Sequence, residues 1–196
     1  IPTFTASKTT IGEQQIGSYG LYFGRVTEEK GVETVIKAYE KLPEYTVKIM
    51  GDDTTEEAIR LKKYVENHKM KNVEFLGFKS GAELENVIKG ARFTLIPSIW
   101  YDNLPNTALE SFQYSKPVIA SNIGSLPELV VDGENGYLFK PSNVEDLIKK
   151  IKMLDDDTLV KKMGQASRKR LESRFAPQTH YEDLMKIFNE AVKSRK

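Results

Sequence analysis

A chain of 196 residues, 39% hydrophobic and 29% charged, is long enough to bury roughly 70% of its unfolded surface as a single domain. Its 29 Lys and Arg balance 28 Asp and Glu to a formal charge of +1, which argues against the long-range field of a nucleic-acid binder and leaves any cationic site local. The absence of cysteine excludes disulfides, thiol nucleophiles and thiolate zinc sites, and no apolar run approaches the roughly 20 residues that span a bilayer, so a soluble, cytoplasmic protein is expected.

Residues 1–17, IPTFTASKTTIGEQQIG, carry neither a helical nor a strand period and read as a linker or lead-in, with one domain following over 18–196. No signal-peptide pattern occurs there. From residue 18 onward, short apolar runs alternate with segments of helical period, the pattern of a parallel α/β sheet. Strands are expected over 19–24, 45–50, 73–76, 93–97, 117–120 and 137–139. Between them Val32, Val35, Ile36, Tyr39 and Leu42 mark one helix face, Ala58, Leu61, Val65 and His68 a second, and Leu84, Val87 and Ile88 a third. After the last strand only helical period remains, over Val144 to Leu154, Leu159 to Met163 and Tyr181 to Ala191. There is no internal repeat and no low-complexity segment.

Residues with chemistry fall where these strands end. In YGLYFGRVTEEKGVETVIKAY, Gly24 closes the first strand, Arg25 follows, and Lys30 with Gly31 opens the next helix, at the edge where open α/β sheets bind ligands. Both cations are expected to face one crevice. The alternative is an ion pair of either with Glu28 or Glu29, worth roughly 0 to 1 kcal/mol. Gly51 ends the second strand, where a side chain is expected to crowd a ligand, and Gly77, Phe78 and Lys79 follow the third. In PSIWYDNLPNTALESF, Asp102 precedes Pro105, a residue suited to a first helical turn, and Glu110 stands about one turn inside that helix. Amides near Asn106 and Thr107, backed by the helix dipole, suit phosphate, and a carboxylate one turn further in suits sugar hydroxyls. A sugar nucleotide has both groups.

The whole 97–139 block resembles the donor-binding half of retaining glycosyltransferases of the GT-B architecture, in the group 1 glycosyltransferase family. Their signature is a Glu, seven residues and a second Glu, so Asp102 stands where the family has its first Glu and Glu110 is the second. The resemblance implies a Rossmann-like open parallel sheet flanked by helices, with extra C-terminal helices, one half of a GT-B fold. It implies that Glu110 holds the ribose and that Asp102 contacts the transferred sugar, with Asn103, Asn106 and Thr107 beside them in the donor site. Arg25 and Lys30 match the family's grip on the diphosphate, and with Asp102 and Glu110 they form the implied catalytic set. Gly24, Gly51, Gly77 and Phe78 fall along the nucleotide, the base being read mainly by backbone groups. Gly124 is implied near the sugar, and Glu128 either shares that role or supports its loop.

By the same resemblance the donor is a nucleotide diphospho-sugar, no cofactor or metal is needed, and the anomeric configuration is retained. The partners implied are an N-terminal acceptor-binding domain of the same protein, reached through the lead-in, and a glycan or lipid acceptor, with any peripheral membrane contact made through that other domain. The chain alone is then expected to bind nucleotide and to transfer poorly or not at all. Its terminal helix either lacks a partner in that domain or docks on its own.

Other signals are weaker. Phe78 either stacks on a base or belongs to the core, and Trp100 either lines the sugar pocket or is part-buried for packing. His68 and His180 lack partners at metal-ligand spacing, and the basic run KKMGQASRKRLESR, with its acids and helical period, reads as a solvated face. A hydride-transfer domain requires GxGxxG after its first strand, which is absent. Asp52, Asp53 and Lys116-Pro117 superficially suit a phosphoacceptor domain, in the wrong order. A sugar-nucleotide epimerase or hydrolase, and a binding module without catalysis, stay open as alternatives.

Overall fold

Six short strands form one wholly parallel sheet in the computed structural model, which describes residues 15–193. They are β1 (Tyr19–Phe23), β2 (Thr46–Met50), β3 (Val73–Gly77), β4 (Ala91–Ile96), β5 (Val118–Ser121) and β6 (Gly136–Phe139), in the order β3-β2-β1-β4-β5-β6. The central strands are apolar throughout because helices cover both faces, as parallel crossovers require. Every expected strand is present. Most of the expected lead-in lies outside the described residues; its last part, 15–17, runs against the start of β4, where Gly17 passes too close to the Gly90 carbonyl for any side chain.

The helices are α1 (Val32–Glu40), α2 (Glu56–Asn67), α3 (Gly81–Lys89), α4 (Asn106–Gln113), α5 (Leu126–Leu129), α6 (Val144–Lys152), α7 (Asp157–Arg174) and α8 (Pro177–Lys193). One face of the sheet, with Tyr22, Ile49, Leu95 and Ile119, packs against α1, α2 and α6. On the other, Ile96, Val118 and Ala120 meet α4 and α5, while Leu21, Phe23 and Met50 meet α3. Helix α7 joins the two layers, placing Val160 and Met163 in the first core and Leu171 in the second. Lys161, Lys162, Lys169 and Arg174 are exposed and form the solvated basic face expected from the sequence, whereas Arg168 and Arg170 are part-buried and donate to the carbonyls of Gln113 and Glu128.

Chain direction reverses about β1 and β4. From β1 the chain moves outward to β2 and β3, and from β4 it moves the opposite way to β5 and β6, so the helices that follow β1 and β4 lie on opposite faces and leave a crevice at the ends of these strands. Lys116 lies at the other edge of the sheet, just before β5. It is 1% exposed, and its Nζ donates to the carbonyls of Gln15, Lys89 and Ala91 at 2.7, 2.6 and 2.8 Å, which makes it a structural clamp. Burial pushes the pKa of its ammonium down to about 8.

The terminal helix α8 buries none of its residues. Tyr181, Ile187, Phe188 and Val192 are exposed, so the reading in which this helix docks on its own domain does not hold beyond its junction with α7.

Candidate functional site

The crevice begins where β1 stops. Gly24 has φ +144, a backbone state that side chains rarely adopt, and its N–H donates to the Met50 carbonyl at 3.0 Å. Gly51 is required for a different reason from the one expected: a Cβ there would lie 2.0 Å from the Gly24 carbonyl, so neighbouring backbone, and no ligand, excludes the side chain. A single 3-10 turn (Glu28–Lys30) then leads to Gly31, whose φ is +66 and whose Cβ would lie 2.1 Å from the Pro97 carbonyl. The Ile99 amide donates to the Glu29 carbonyl at 3.0 Å, so the loops after β1 and β4 are bound to each other.

Those contacts set the two cations apart. The Arg25 side chain is 73% exposed and sits 3.9 Å from Glu29, the loose surface pair given as the alternative in the sequence. Lys30 pairs with neither Glu28 nor Glu29: its Nζ donates to Asp102 Oδ1 at 2.6 Å, with the two side chains only 18% and 19% exposed. Ser98, buried at the end of β4, donates its hydroxyl to Asp102 Oδ2 at 2.5 Å. The carboxylate is thus held on both oxygens.

Asp102 is also fixed through its backbone. Ser125 Oγ donates to the Asp102 carbonyl at 2.7 Å and accepts from the Leu104 amide at 2.8 Å. Beside it Gly124 has φ +59, and a Cβ there would come within 3.2 Å of the Asp102 amide. Ser98 and Ser125 are the site residues that sequence reasoning missed. A serine after a strand is an ordinary turn residue, and only the fold reveals which loop it ties.

Helix α4 starts directly after this latch. Pro105 takes the N-cap position, one residue earlier than the first turn in which the sequence suggested it, and it contributes no side-chain cap. The amides of Asn106 and Thr107 therefore have neither an intrahelical acceptor nor a capping one, which leaves a helix N-terminus suited to an anion. The helix is steadied from behind, where Thr94 Oγ1 donates to Ser111 Oγ at 2.8 Å and Ser111 donates on to the Thr107 carbonyl at 2.6 Å.

Two cavities share this floor. One, of about 390 Å³, brings together Arg25, Lys30, Asp102, Asn103, Asn106 and Thr107. The other, of about 530 Å³, contains Gly51, Phe78, Lys79 and Glu110. Gly24, Arg25 and Thr107 border both, so the two adjoin. Desolvation raises the Glu110 carboxyl above its ordinary range. Phe78 is 74% exposed at the rim and is not a core residue.

Several other expected residues stay outside. Trp100 and Tyr101 are exposed and border neither cavity. Gly124 and Glu128 do not border them either; Glu128 is exposed, and its backbone carbonyl accepts from Arg170, so its observed part is in the support of the loop. Gly77, with φ +68, turns the chain beside Asp53, which pairs with Lys62. His68 stacks on Tyr64 at the surface, and among the described residues no cluster of three or more His, Asp or Glu is placed to hold a metal. The arrangement can receive an anion at the α4 N-terminus between two cations, with a carboxylate on either side for hydroxyl groups.

The family model described as Glycosyl transferases group 1 matches residues 10–170. Glycosyltransferase MJ1178 of Methanocaldococcus jannaschii is 31% identical over 178 residues, 88% of this chain and 48% of the relative. A glycogen synthase of Mycobacterium tuberculosis is 30% identical over 181 residues, 90% and 42% of the two chains. Among solved structures, Anabaena Alr3699/HepE in complex with UDP and glucose has the same fold, with a TM-score of 0.79 at 21% identity over 88% of this chain and 48% of that one. The chain spans about half the length of the curated relatives it matches. The family match covers most of the chain, and the chain belongs to the group 1 glycosyl transferases.

Proposed function

We propose that the chain is the donor-binding half of a retaining, metal-independent glycosyltransferase that uses a nucleoside diphosphate sugar. One observation carries the reading: the adjoining pair of cavities at the switch point between β1 and β4, with Arg25, Lys30, the start of α4 and Glu110 on their walls. UDP and glucose occupy the Anabaena protein of the same fold, and a glycogen synthase is among the relatives. Both support a nucleotide sugar as the ligand. The diphosphate then lies between Arg25, Lys30 and the amides of Asn106 and Thr107, the ribose on Glu110, the base toward Phe78 and Lys79, and the sugar toward Asp102 and Asn103.

Catalysis in this arrangement is electrostatic. As the bond between sugar and diphosphate breaks, negative charge grows on the leaving phosphate, and cations and oriented amides already in place stabilise it more than they stabilise the ground state. The departing diphosphate takes the acceptor proton on the same face, which gives retention. The acceptor, a glycan or lipid-linked saccharide, is held by an N-terminal domain of the same protein.

Calorimetric titration with UDP, GDP, ADP and their sugar conjugates tests the reading. One conjugate is expected to bind saturably, and Arg25→Ala is expected to weaken it by roughly 1 to 3 kcal/mol, the loss of a charged hydrogen-bond partner. Binding of none of these ligands, or unchanged affinity in a folded Arg25→Ala protein, would overturn it.

A further inference from the structure

We infer that Asp102 competes with the donor's diphosphate for Lys30, so that the site discriminates against a bare nucleoside diphosphate in favour of one that carries a sugar. The inference rests on the donor-site reading above and goes beyond it, because it gives Asp102 a second and opposing part. A residue that only held the sugar would add to affinity wherever it acts. Asp102 subtracts from the affinity of any ligand that offers it nothing in return.

The geometry supplies the reason. Lys30 Nζ lies 2.6 Å from Asp102 Oδ1, in a pair four-fifths removed from solvent, on the wall of the cavity that holds the α4 N-terminus. Neither backbone can withdraw easily. Gly31 beside Lys30 is wedged against the Pro97 carbonyl, and the Asp102 segment is latched by Ser125 and Gly124. Arg25 is turned outward toward Glu29, so Lys30 is the more enclosed of the cavity's two cations and its charge is already matched.

A diphosphate drawn to Lys30 shares the ammonium's three protons with Asp102, which weakens that pair and brings phosphate oxygens close to a carboxylate of the same sign, otherwise held by Ser98. Bare nucleoside diphosphate, with its ribose hydroxyls on Glu110 in the proposed pose, brings no donor to Asp102 to repair that loss. A sugar on the diphosphate does, because its hydroxyls donate charge-assisted hydrogen bonds to the freed carboxylate. Exchange of partners is then complete for the donor and incomplete for the nucleotide released after transfer. Asp102 thereby favours the departure of the product.

Titration of the wild-type chain, Asp102→Asn and Asp102→Ser with UDP, GDP, ADP, UDP-glucose, GDP-mannose and ADP-glucose tests this, with thermal melts to show that each variant is folded. For the base that binds, Asp102→Asn is expected to tighten the bare diphosphate about tenfold, the equivalent of about 1.4 kcal/mol, while the sugar conjugate gains nothing or weakens. Asp102→Ser should act in the same direction. The gain should shrink in a Lys30→Met background, where there is no ammonium to release. Bare diphosphate binding that is unchanged or weaker in both Asp102 variants, or an equal gain for diphosphate and conjugate, overturns the competition and leaves the donor site standing. If the wild-type chain binds none of the six ligands, the donor-site reading falls, and this inference falls with it.

Discussion

Glu110 is a carboxylate kept in a poorly solvated wall, and that placement has a cost and a use. Desolvation raises its pKa, so the ionised form is the disfavoured one in the folded chain, and the penalty is present at neutral pH and relieved as the group takes up a proton. Glu110→Gln removes the penalty while keeping the shape, so its melting temperature at neutral pH should be at or above that of the wild type. Donor affinity should move the opposite way, falling by roughly 1 to 3 kcal/mol if the proposed charged acceptor for ribose hydroxyls is lost. With a sugar conjugate, whose phosphates do not titrate near neutrality, wild-type affinity should decline on the acid side of neutrality, and Glu110→Gln should flatten that decline. A pH series of calorimetric titrations on the two proteins checks both signs; a Glu110→Gln protein that binds as tightly as wild type removes Glu110 from the site. Residues that line the cavities were legible in the sequence because strand ends and the first turn of a helix are local features. Their pairing was not. Lys30 and Asp102 are 72 residues apart, and the nearer Glu28 and Glu29 were the natural partners until the loops after β1 and β4 were seen to be bound together.

At the scale of elements, the six strands were readable because a parallel sheet covered on both faces needs uninterrupted apolar runs, and Gly or Pro marks several of the ends. The error at β4 shows the limit. That strand starts at Ala91, two residues earlier than expected, because Arg92 interrupts the apolar run; its guanidinium reaches across to the carbonyls of Leu154 and Asp155, both at 2.6 Å, and ties the connection between α6 and α7 to the sheet. Lys116 is the stronger case of a charge that belongs inside. Three elements meet at its ammonium: the lead-in at Gln15, the end of α3 at Lys89 and the start of β4 at Ala91. Lys116→Met retains most of the aliphatic stem but supplies no protons, and leaving those carbonyls without their donor should cost at least about 2 kcal/mol. Urea denaturation measures the loss. Because the clamp lies at the edge of the sheet opposite the cavities, nucleotide affinity in the folded variant should stay within a factor of about two. A large loss of affinity with stability intact would mean that the lead-in, and not the sheet, is what Lys116 serves.

Considered whole, the molecule has an imbalance: the sheet and seven helices bury continuous cores, whereas α8 presents Tyr181, Ile187, Phe188 and Val192 to solvent and buries nothing among its residues. Periodicity made this helix readable, since an apolar stripe says that something covers it, but period alone cannot say what. The solved fold narrows the choice, because the sheet of this domain has no free face left to offer. If the covering surface belongs to the N-terminal domain of the proposed complete enzyme, a single substitution should behave in two ways. In this chain Phe188→Asp changes an exposed position, and its unfolding free energy should differ from wild type by no more than about 0.5 kcal/mol. In a full-length protein the same change introduces a carboxylate into an apolar contact, and the loss should reach several kcal/mol. Chemical denaturation of both proteins with and without the substitution separates the outcomes. Equal and small effects in the two would show that α8 stays uncovered in the full protein, whereas a large effect in the short chain would show that α8 packs on this domain in solution.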